Sequence, residues 1–75
     1  MRANNLIFNT IDISTRPKRR RAVSLIIDVL MRIRNAEIAY MERIPENFQL
    51  CDAYAAADES IDTLTYALDL LSDAY

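Results

Sequence analysis

Five cationic residues fall within six positions of the sequence and form its strongest candidate for binding chemistry. They are Arg16, Lys18, Arg19, Arg20 and Arg21, interrupted only by Pro17. Such a cluster can contact successive phosphates, and each contact adds to an affinity that falls as salt is raised. The run contains no aromatic residue for base stacking, and no recognition-helix pattern follows it. A polyanion site is therefore one interpretation, and pairing with acidic residues of the same chain is the other.

Four carboxylates raise the question of a metal-dependent hydrolase: Glu37, Glu42, Glu59 and Asp62. Glu59 and Asp62 lie three residues apart and share a helix face, whereas Glu37 and Glu42 are five apart and point in different directions. The Glu-x-x-His pairs of di-iron bundles are absent, because the chain has no histidine. We predict no catalytic residue, no metal and no cofactor, and we expect Glu37 to meet Arg34 or a cation of another subunit.

Cys51 is the single cysteine. A thiol near a helix N-terminus can be activated by the helix dipole, but a Cys–His nucleophile is impossible without histidine. One cysteine also cannot form an internal disulfide. A small, half-buried structural residue is the favoured interpretation, and a redox role is the alternative.

The elements that must position these residues begin with a helix over about residues 51–75. One apolar stripe follows it at steps of three and four, which is a heptad seam that faces a partner. A neighbouring stripe consists mostly of small residues, which would let a further helix approach on a second side. The seam contains Tyr54, Ala57, Ile61, Leu64, Leu68, Leu71 and Tyr75; the small-residue stripe contains Ala53, Ala56, Ser60, Thr63, Ala67, Leu70 and Ala74.

An earlier helix is predicted over about residues 16–44. Ser14 or Thr15 would cap it, and Pro17 suits its first turn. Pro45 ends it, and the elbow 45–50 has room for one helical turn, with Phe48 and Leu50 packed beneath the corner. Its apolar arc is too wide for one partner helix. The two stripes are Val23, Ile26, Leu30, Ile33, Tyr40 and Ile44, interrupted by Glu37, and Ile27, Met31, Ile38 and Met41, interrupted by Arg34.

Charge is divided unequally between the two helices. Residues 1–45 carry nine bases and four acids, a balance of +5, while residues 46–75 carry seven acids and no base, a balance of −7. Lys18–Arg21 and the pair Asp69 and Asp73 each have the wrong sign for their own helix dipole. An antiparallel hairpin would bring these ends together, so we expect the basic run to pair with Asp69 and Asp73.

Chain length favours self-association. A chain of 75 residues buries a small core and commonly needs a staple or a second copy. The fold predicted is all-α: an antiparallel two-helix hairpin that dimerises into a four-helix bundle. Its dimer core is expected to contain Leu30, Ile33, Leu64 and Leu68.

Residues 1–15 differ in composition from the rest. β-Branched and aromatic residues alternate there with poor helix formers such as Asn5 and Asn9. We expect an extended segment, with Leu6–Ile13 as one short strand. The strand would lie along the bundle, pair with the same strand of a second copy, or stay mobile. No stretch is apolar enough for a membrane span or a secretory signal, so a cytoplasmic location is expected.

From Arg34 to Tyr75 the chain resembles a group of small bacterial and prophage-type helical proteins with a PEN(L/F)Q-like elbow and an acidic, alanine-rich second helix. The elbow is matched by Pro45, Glu46, Asn47, Phe48 and Gln49, and the helix by Tyr54, Ala57, Asp58, Glu59, Ile61, Asp62 and Leu64. Leu50 and Cys51 depart from the pattern, in which a small residue and a serine cap are expected. The group has no assigned activity, so the resemblance implies a hairpin architecture alone.

These observations favour a non-catalytic structural or interaction protein that acts as a homo-oligomeric helical bundle. Its protein partner is not identified by the sequence. The alternative function is a nucleic-acid-associated protein that uses Arg16–Arg21.

Overall fold

Two helices and a short connection make up the part of the chain that the structure describes. The computed structural model describes residues 11–49 and 51–75. Helix α1 spans Arg16–Glu42, a 3₁₀ turn spans Glu46–Phe48, and helix α2 spans Asp52–Ser72. No strand occurs in these two ranges, and the two helices pack against each other. The predicted all-α helical hairpin is confirmed.

Helix α1 begins where its capping residues predict. Thr15 has extended backbone geometry and is the N-cap, and its Oγ1 accepts a hydrogen bond from the Lys18 N–H at 3.4 Å. Pro17 lies in the first turn, where an N–H would have no partner within the helix. The cap therefore fixes the point at which the basic run enters the helix.

Helix α1 ends two residues earlier than predicted, at Glu42 instead of Ile44. Arg43 is the C-cap, and its N–H donates to the Tyr40 carbonyl, while the N–H of Ile44 donates to the Met41 carbonyl. Proline disfavours helical geometry in the residue before it, so the chain leaves the helix ahead of Pro45. The predicted helical turn in the elbow is present as the 3₁₀ turn. Phe48 is 55% exposed, so the expectation that it packs beneath the corner is wrong; Leu50 lies outside the described residues.

The α2 face that packs on α1 is the predicted heptad seam. Ala57 and Leu68 are buried on it, at 1% and 6% exposure, and Tyr54, Ile61, Leu64 and Leu71 are half-buried. Tyr75, the last seam residue, is exposed. The small Ala57 side chain allows the close approach of α1 at its level.

The α1 face that packs on α2 mixes the two predicted stripes. One row of half-buried residues recurs at steps of four and three, and two more half-buried residues, Ile26 and Ile38, lie beside it; the row contains Val23, Ile27, Leu30, Arg34, Glu37 and Met41. Ile33 and Tyr40, which belong to the predicted first stripe, are exposed instead. The seam is rotated toward the second stripe, because the wide apolar arc of α1 permits more than one contact line.

The two helices run in opposite directions. The guanidinium of Arg16 at the start of α1 lies over the ring of Tyr75, just past the end of α2. Val23 and Ser24 of α1 line one groove together with Leu71 and Ser72 of α2. The start of α1 is therefore level with the end of α2.

The fold is a single layer of helices. Its principal extents are 51 × 30 × 14 Å, and the shortest is close to the diameter of one helix with side chains. The radius of gyration is 15.8 Å, against about 11 Å for a compact domain of this length. Within residues 16–49 and 51–75, no element covers either broad side of this layer; Ile11, before α1, lines one groove with Ala22 and Leu25.

Neither α1 nor α2 is both long enough and apolar enough to cross a membrane.

Candidate functional site

The basic run occupies the first turn and a half of α1, and all five of its cationic residues are exposed. Three of them have identified contacts. Lys18 Nζ pairs with Asp12 Oδ2 at 2.6 Å, Arg19 Nη1 donates to the Ile13 carbonyl at 3.1 Å, and the Arg16 guanidinium lies 5.1 Å from the Tyr75 ring centroid. Arg20 and Arg21 have no ion pair with any residue that the structure describes. Their charges are available to a partner.

Asp12 is the acid that the basic run engages. The Lys18 ammonium, followed by hydrogen bonds from Ser14, lowers the pKa of Asp12 from 3.8 to about 2. One of those hydrogen bonds runs from the Ser14 N–H to Asp12 Oδ1 at 2.9 Å. Asp12 thus ties the residues before α1 to its first turn.

The expected ion pairs between the basic run and α2 are not formed. Within residues 11–49 and 51–75, no cation of the run lies within ion-pair distance of Asp69 or Asp73. The antiparallel fold does bring the two charged ends to the same level, as predicted. The side chains, however, take partners before α1 and at Tyr75, so the prediction of direct pairing is wrong.

The candidate carboxylates do not assemble into a site. In the described part of the chain, no three acidic or cysteine side chains are close enough together to hold one metal ion. Glu37 is half-buried in the α1 seam, and it forms no ion pair there with Arg34. Of the two expected partners of Glu37, Arg34 of the same chain is therefore wrong, and a cation of another subunit stays a prediction.

Arg34 is the unusual member of this seam. Its Nε is buried and has no hydrogen-bond partner among the described residues, while its Nη2 reaches only Asn35 Oδ1, at 3.5 Å. A buried donor without a partner costs free energy. The middle of the α1–α2 contact therefore contains a buried N–H donor that has no hydrogen-bond partner among the described residues.

Cys51 is the N-cap of α2 and is half-buried with a free thiol. Its side chain makes no capping hydrogen bond, which fits the departure from a serine cap noted in the sequence. The N-terminus of α2 has Asp52 in its first turn, and this acid complements the helix dipole. The position is structurally ordinary, as the favoured interpretation expects.

An exposed apolar stripe runs along α1 beside the seam. Leu25, Val29, Ile33 and Tyr40 are all exposed, and Ala36 completes the row at steps of four, four, three and four. That spacing keeps the five residues on one side of the helix. Sequence reasoning placed Ile33 and Tyr40 in a neighbouring stripe and overlooked Leu25, Val29 and Ala36, because the neighbouring stripes are more strongly apolar.

The predicted small-residue stripe of α2 is also open to solvent. Ala56, Ser60, Thr63 and Leu70 are exposed, and Ala67 is half-buried. Successive residues turn by about 100° around a helix. The small-residue stripe therefore lies about 100° around α2 from the α2 seam. In the same way, the Leu25–Tyr40 stripe lies about 120° around α1 from the α1 seam. Because α2 runs opposite to α1, both rotations lead to the same side of the hairpin. We call this side the apolar face.

The four predicted dimer-core residues have different environments in one chain. Leu68 is already buried between α1 and α2, and Leu30 and Leu64 are half-buried there. Ile33 is 49% exposed and belongs to the apolar face. Of the four, Ile33 offers the most side-chain surface to a second copy.

Comparisons with protein-family models, with curated proteins and with solved structures found no significant match in any of the three. The resemblance to small prophage-type hairpin proteins stays a prediction.

Proposed function

We propose that this protein is a non-catalytic structural or interaction protein that works as a homodimeric four-helix bundle. The observation that carries the proposal is the mismatch between a small core and a large exposed apolar face. Among the described residues only Ala22, Ala57 and Leu68 are buried, and two of these are alanines. A hairpin with so little buried apolar surface is marginal by itself.

The shape of the hairpin indicates how a second copy would supply the missing core. A single helical layer becomes two layers when another hairpin covers its apolar face. Ala36, Ala56 and Ser60 are small, so they would allow the helices to come close, and Leu25, Val29 and Ile33 would fill the space between them. Leu30 and Leu64, half-buried at the edge of the seam, would complete the dimer core.

Substitution of an exposed residue tests the proposal without disturbing the hairpin seam. Ile33→Asp would place a charge on the apolar face, and we expect the dimer to dissociate at micromolar concentration. Met31→Asp is the matched control, because Met31 is 40% exposed on the opposite side of the same helix. Sedimentation velocity gives the mass, and circular dichroism reports whether the helices persist. A concentration-independent, folded monomer of the unmodified protein would overturn the proposal.

A second function, polyanion binding by Arg16, Lys18, Arg19, Arg20 and Arg21, is favoured by one observation. The run is exposed and is not neutralised by Asp69 or Asp73. A nucleic-acid-associated protein would bind labelled DNA or RNA with an affinity that falls steeply with salt. Replacing Lys18, Arg19 and Arg20 with glutamine should reduce that slope by roughly one unit for each phosphate that the variant can no longer neutralise. Equal binding by this variant and the unmodified chain would exclude the run as the site.

A further inference from the structure

We infer that the two copies pack with their hairpin corners at the same end, so that α1 of each copy lies against α2 of the other. The inference rests on the homodimer proposed above and specifies its arrangement. A two-fold axis between two facing hairpins can run along the helices or across them. The first choice places α1 on α2 of the second copy. The second places α1 on α1 and α2 on α2.

The opposite net charges of the two helices distinguish same-end from opposite-end packing. Helix α1 contains seven bases and three acids, a balance of +4, and α2 contains five acids and no base, a balance of −5. Same-end packing brings opposite charges together, whereas opposite-end packing brings like charges together in both contacts. Like charges across an interface oppose association, and complementary ones fix its register. The charge division therefore favours the same-end arrangement.

Three arginines mark the outer edge of α1. Arg21, Arg32 and Arg43 are eleven residues apart, which is just over three helical turns and keeps them nearly in line. All three are exposed, and none forms an ion pair with a residue in the described ranges. They border the apolar face on the side away from α2.

Acidic residues mark the corresponding edge of α2. Asp52, Glu59 and Asp73 occupy three positions of a seven-residue repeat, and Tyr66 occupies the fourth. The three acids are exposed and likewise lack an ion pair with any described residue. Their edge faces away from α1 of the same chain, so these charges cannot reach the arginine row within one hairpin.

The arginine row of one copy and the acidic row of the other lie at matching heights along the bundle. Within the hairpin, Arg16 is level with Tyr75, and Ser24 shares a groove with Ser72. A two-fold axis parallel to the helices does not shift the second copy along the bundle. Residues at the same height in one hairpin are therefore at the same height in both copies. Arg21 then meets Asp73 of the second copy, and in the same way Arg32 meets Glu59 and Arg43 meets Asp52. Asp28, an acid on the arginine edge, comes level with Tyr66 and not with another acid.

Opposite-end packing gives the reverse result. It would place the arginine row of one copy beside the arginine row of the other, with Arg21 near Arg43. The acidic rows of the two α2 helices would lie side by side as well. Each of the three pairs of opposite charges would be replaced by a contact between like charges.

Cys51 allows a direct measurement, because it is the single cysteine and lies at the corner. A nitroxide on Cys51 reports the distance between corners by pulsed electron paramagnetic resonance. Same-end packing predicts a separation below about 25 Å, since neighbouring helices lie 8–10 Å apart. Opposite-end packing predicts roughly 30 Å or more, the length of α2. The double variant Cys51→Ser with Glu46→Cys repeats the measurement at an exposed corner position.

A charge exchange tests the pairing itself. Arg32→Glu should weaken the dimer about tenfold, because two-fold symmetry removes two surface pairs at once. Adding Glu59→Arg should restore the affinity. Arg32→Glu with Asp58→Arg is the matched control, since Asp58 is exposed and lies on the side of α2 away from the apolar face. It makes the same change of charge as Glu59→Arg one residue away and should leave the affinity reduced.

The outcomes separate the two proposals. A dimer with close corners and restored affinity in the exchanged variant supports the inference. A dimer with distant corners, or one that Glu59→Arg fails to restore, overturns the arrangement and leaves the homodimer standing. A folded monomer, or an assembly of more than two copies, overturns both.

Discussion

The Arg16 guanidinium lies over the Tyr75 ring, with 5.1 Å between its central carbon and the ring centroid. This cation–π contact joins the first residue of α1 to the residue three positions beyond α2. Both residues are exposed, and such a contact at an exposed site is worth about 0.5–1 kcal/mol. It lies at the open end of the hairpin, opposite the corner that joins the two helices.

The Arg16–Tyr75 contact predicts a small and specific loss. Tyr75→Leu should lower the free energy of unfolding by about 0.5–1 kcal/mol, because the leucine keeps apolar bulk but has no aromatic face. Tyr66→Leu is the control, since Tyr66 is exposed on the edge away from α1. Urea denaturation of Tyr75→Leu, Arg16→Gln and the double variant gives the coupling between the two side chains. Strictly additive losses would show that the contact contributes nothing.

Leu68 is expected to be the most sensitive position in the seam. It is the largest of the buried side chains in the described residues, and removing a buried leucine costs about 2–5 kcal/mol. Leu68→Ala should therefore abolish or nearly abolish cooperative folding. Leu64→Ala should cost less in the hairpin itself, because Leu64 is half-buried. Met31→Ala serves as the control, because Met31 is exposed and lies outside the apolar face. Thermal unfolding followed by circular dichroism ranks the three variants; equal losses at positions 68 and 31 would contradict the observed seam.

The sequence predicted the hairpin well because its signals are local and strong. Thr15 and Pro17 determine the start of α1, Pro45 requires its end, and the α2 seam has one uninterrupted heptad line. The line of contact on α1 was harder to predict. Two apolar stripes and a third, weaker one surround that helix, so its rotation depends on α2 and not on its own sequence.

The charged site illustrates a second limit of sequence reasoning. The division of charge between the two helices correctly indicated that the basic end of α1 lies beside the acidic end of α2. It did not indicate which side chains pair, because long exposed side chains choose partners by reach and local geometry. Asp12, six residues before Lys18, is within reach once Thr15 caps the helix, and Lys18 takes this local acid.

The Asp12–Lys18 pair predicts a pH dependence. The folded-state pKa of Asp12 is lowered from 3.8 to about 2, so its contribution to stability is present above about pH 4 and is lost as the pH falls toward 2. The carboxyl carbon of Asp12, followed by NMR, should titrate at about 2. In Lys18→Gln the pKa should rise toward 3.8, because Lys18 is the largest cause of the shift. An unchanged titration in that variant would assign the effect to the Ser14 hydrogen bonds instead.

Arg34 provides the last prediction, because its Nε is a buried donor without a partner in the described part of the chain. Arg34→Met keeps the length and flexibility of the side chain and removes the unsatisfied donor. We expect the free energy of unfolding to rise by about 1 kcal/mol, and the melting temperature by about 4–8 °C for a domain of this size. Arg20→Met is the control, since Arg20 is exposed, has no ion pair with a described residue and lies outside the arginine row. A lower melting temperature in Arg34→Met, measured at equal protein concentration, would show that the guanidinium has a partner in the assembled protein. Arg34 lies in the α1–α2 seam and not on the apolar face, so after rearrangement of the seam its partner would be Glu37. Glu37→Gln should then lower the melting temperature by the same amount.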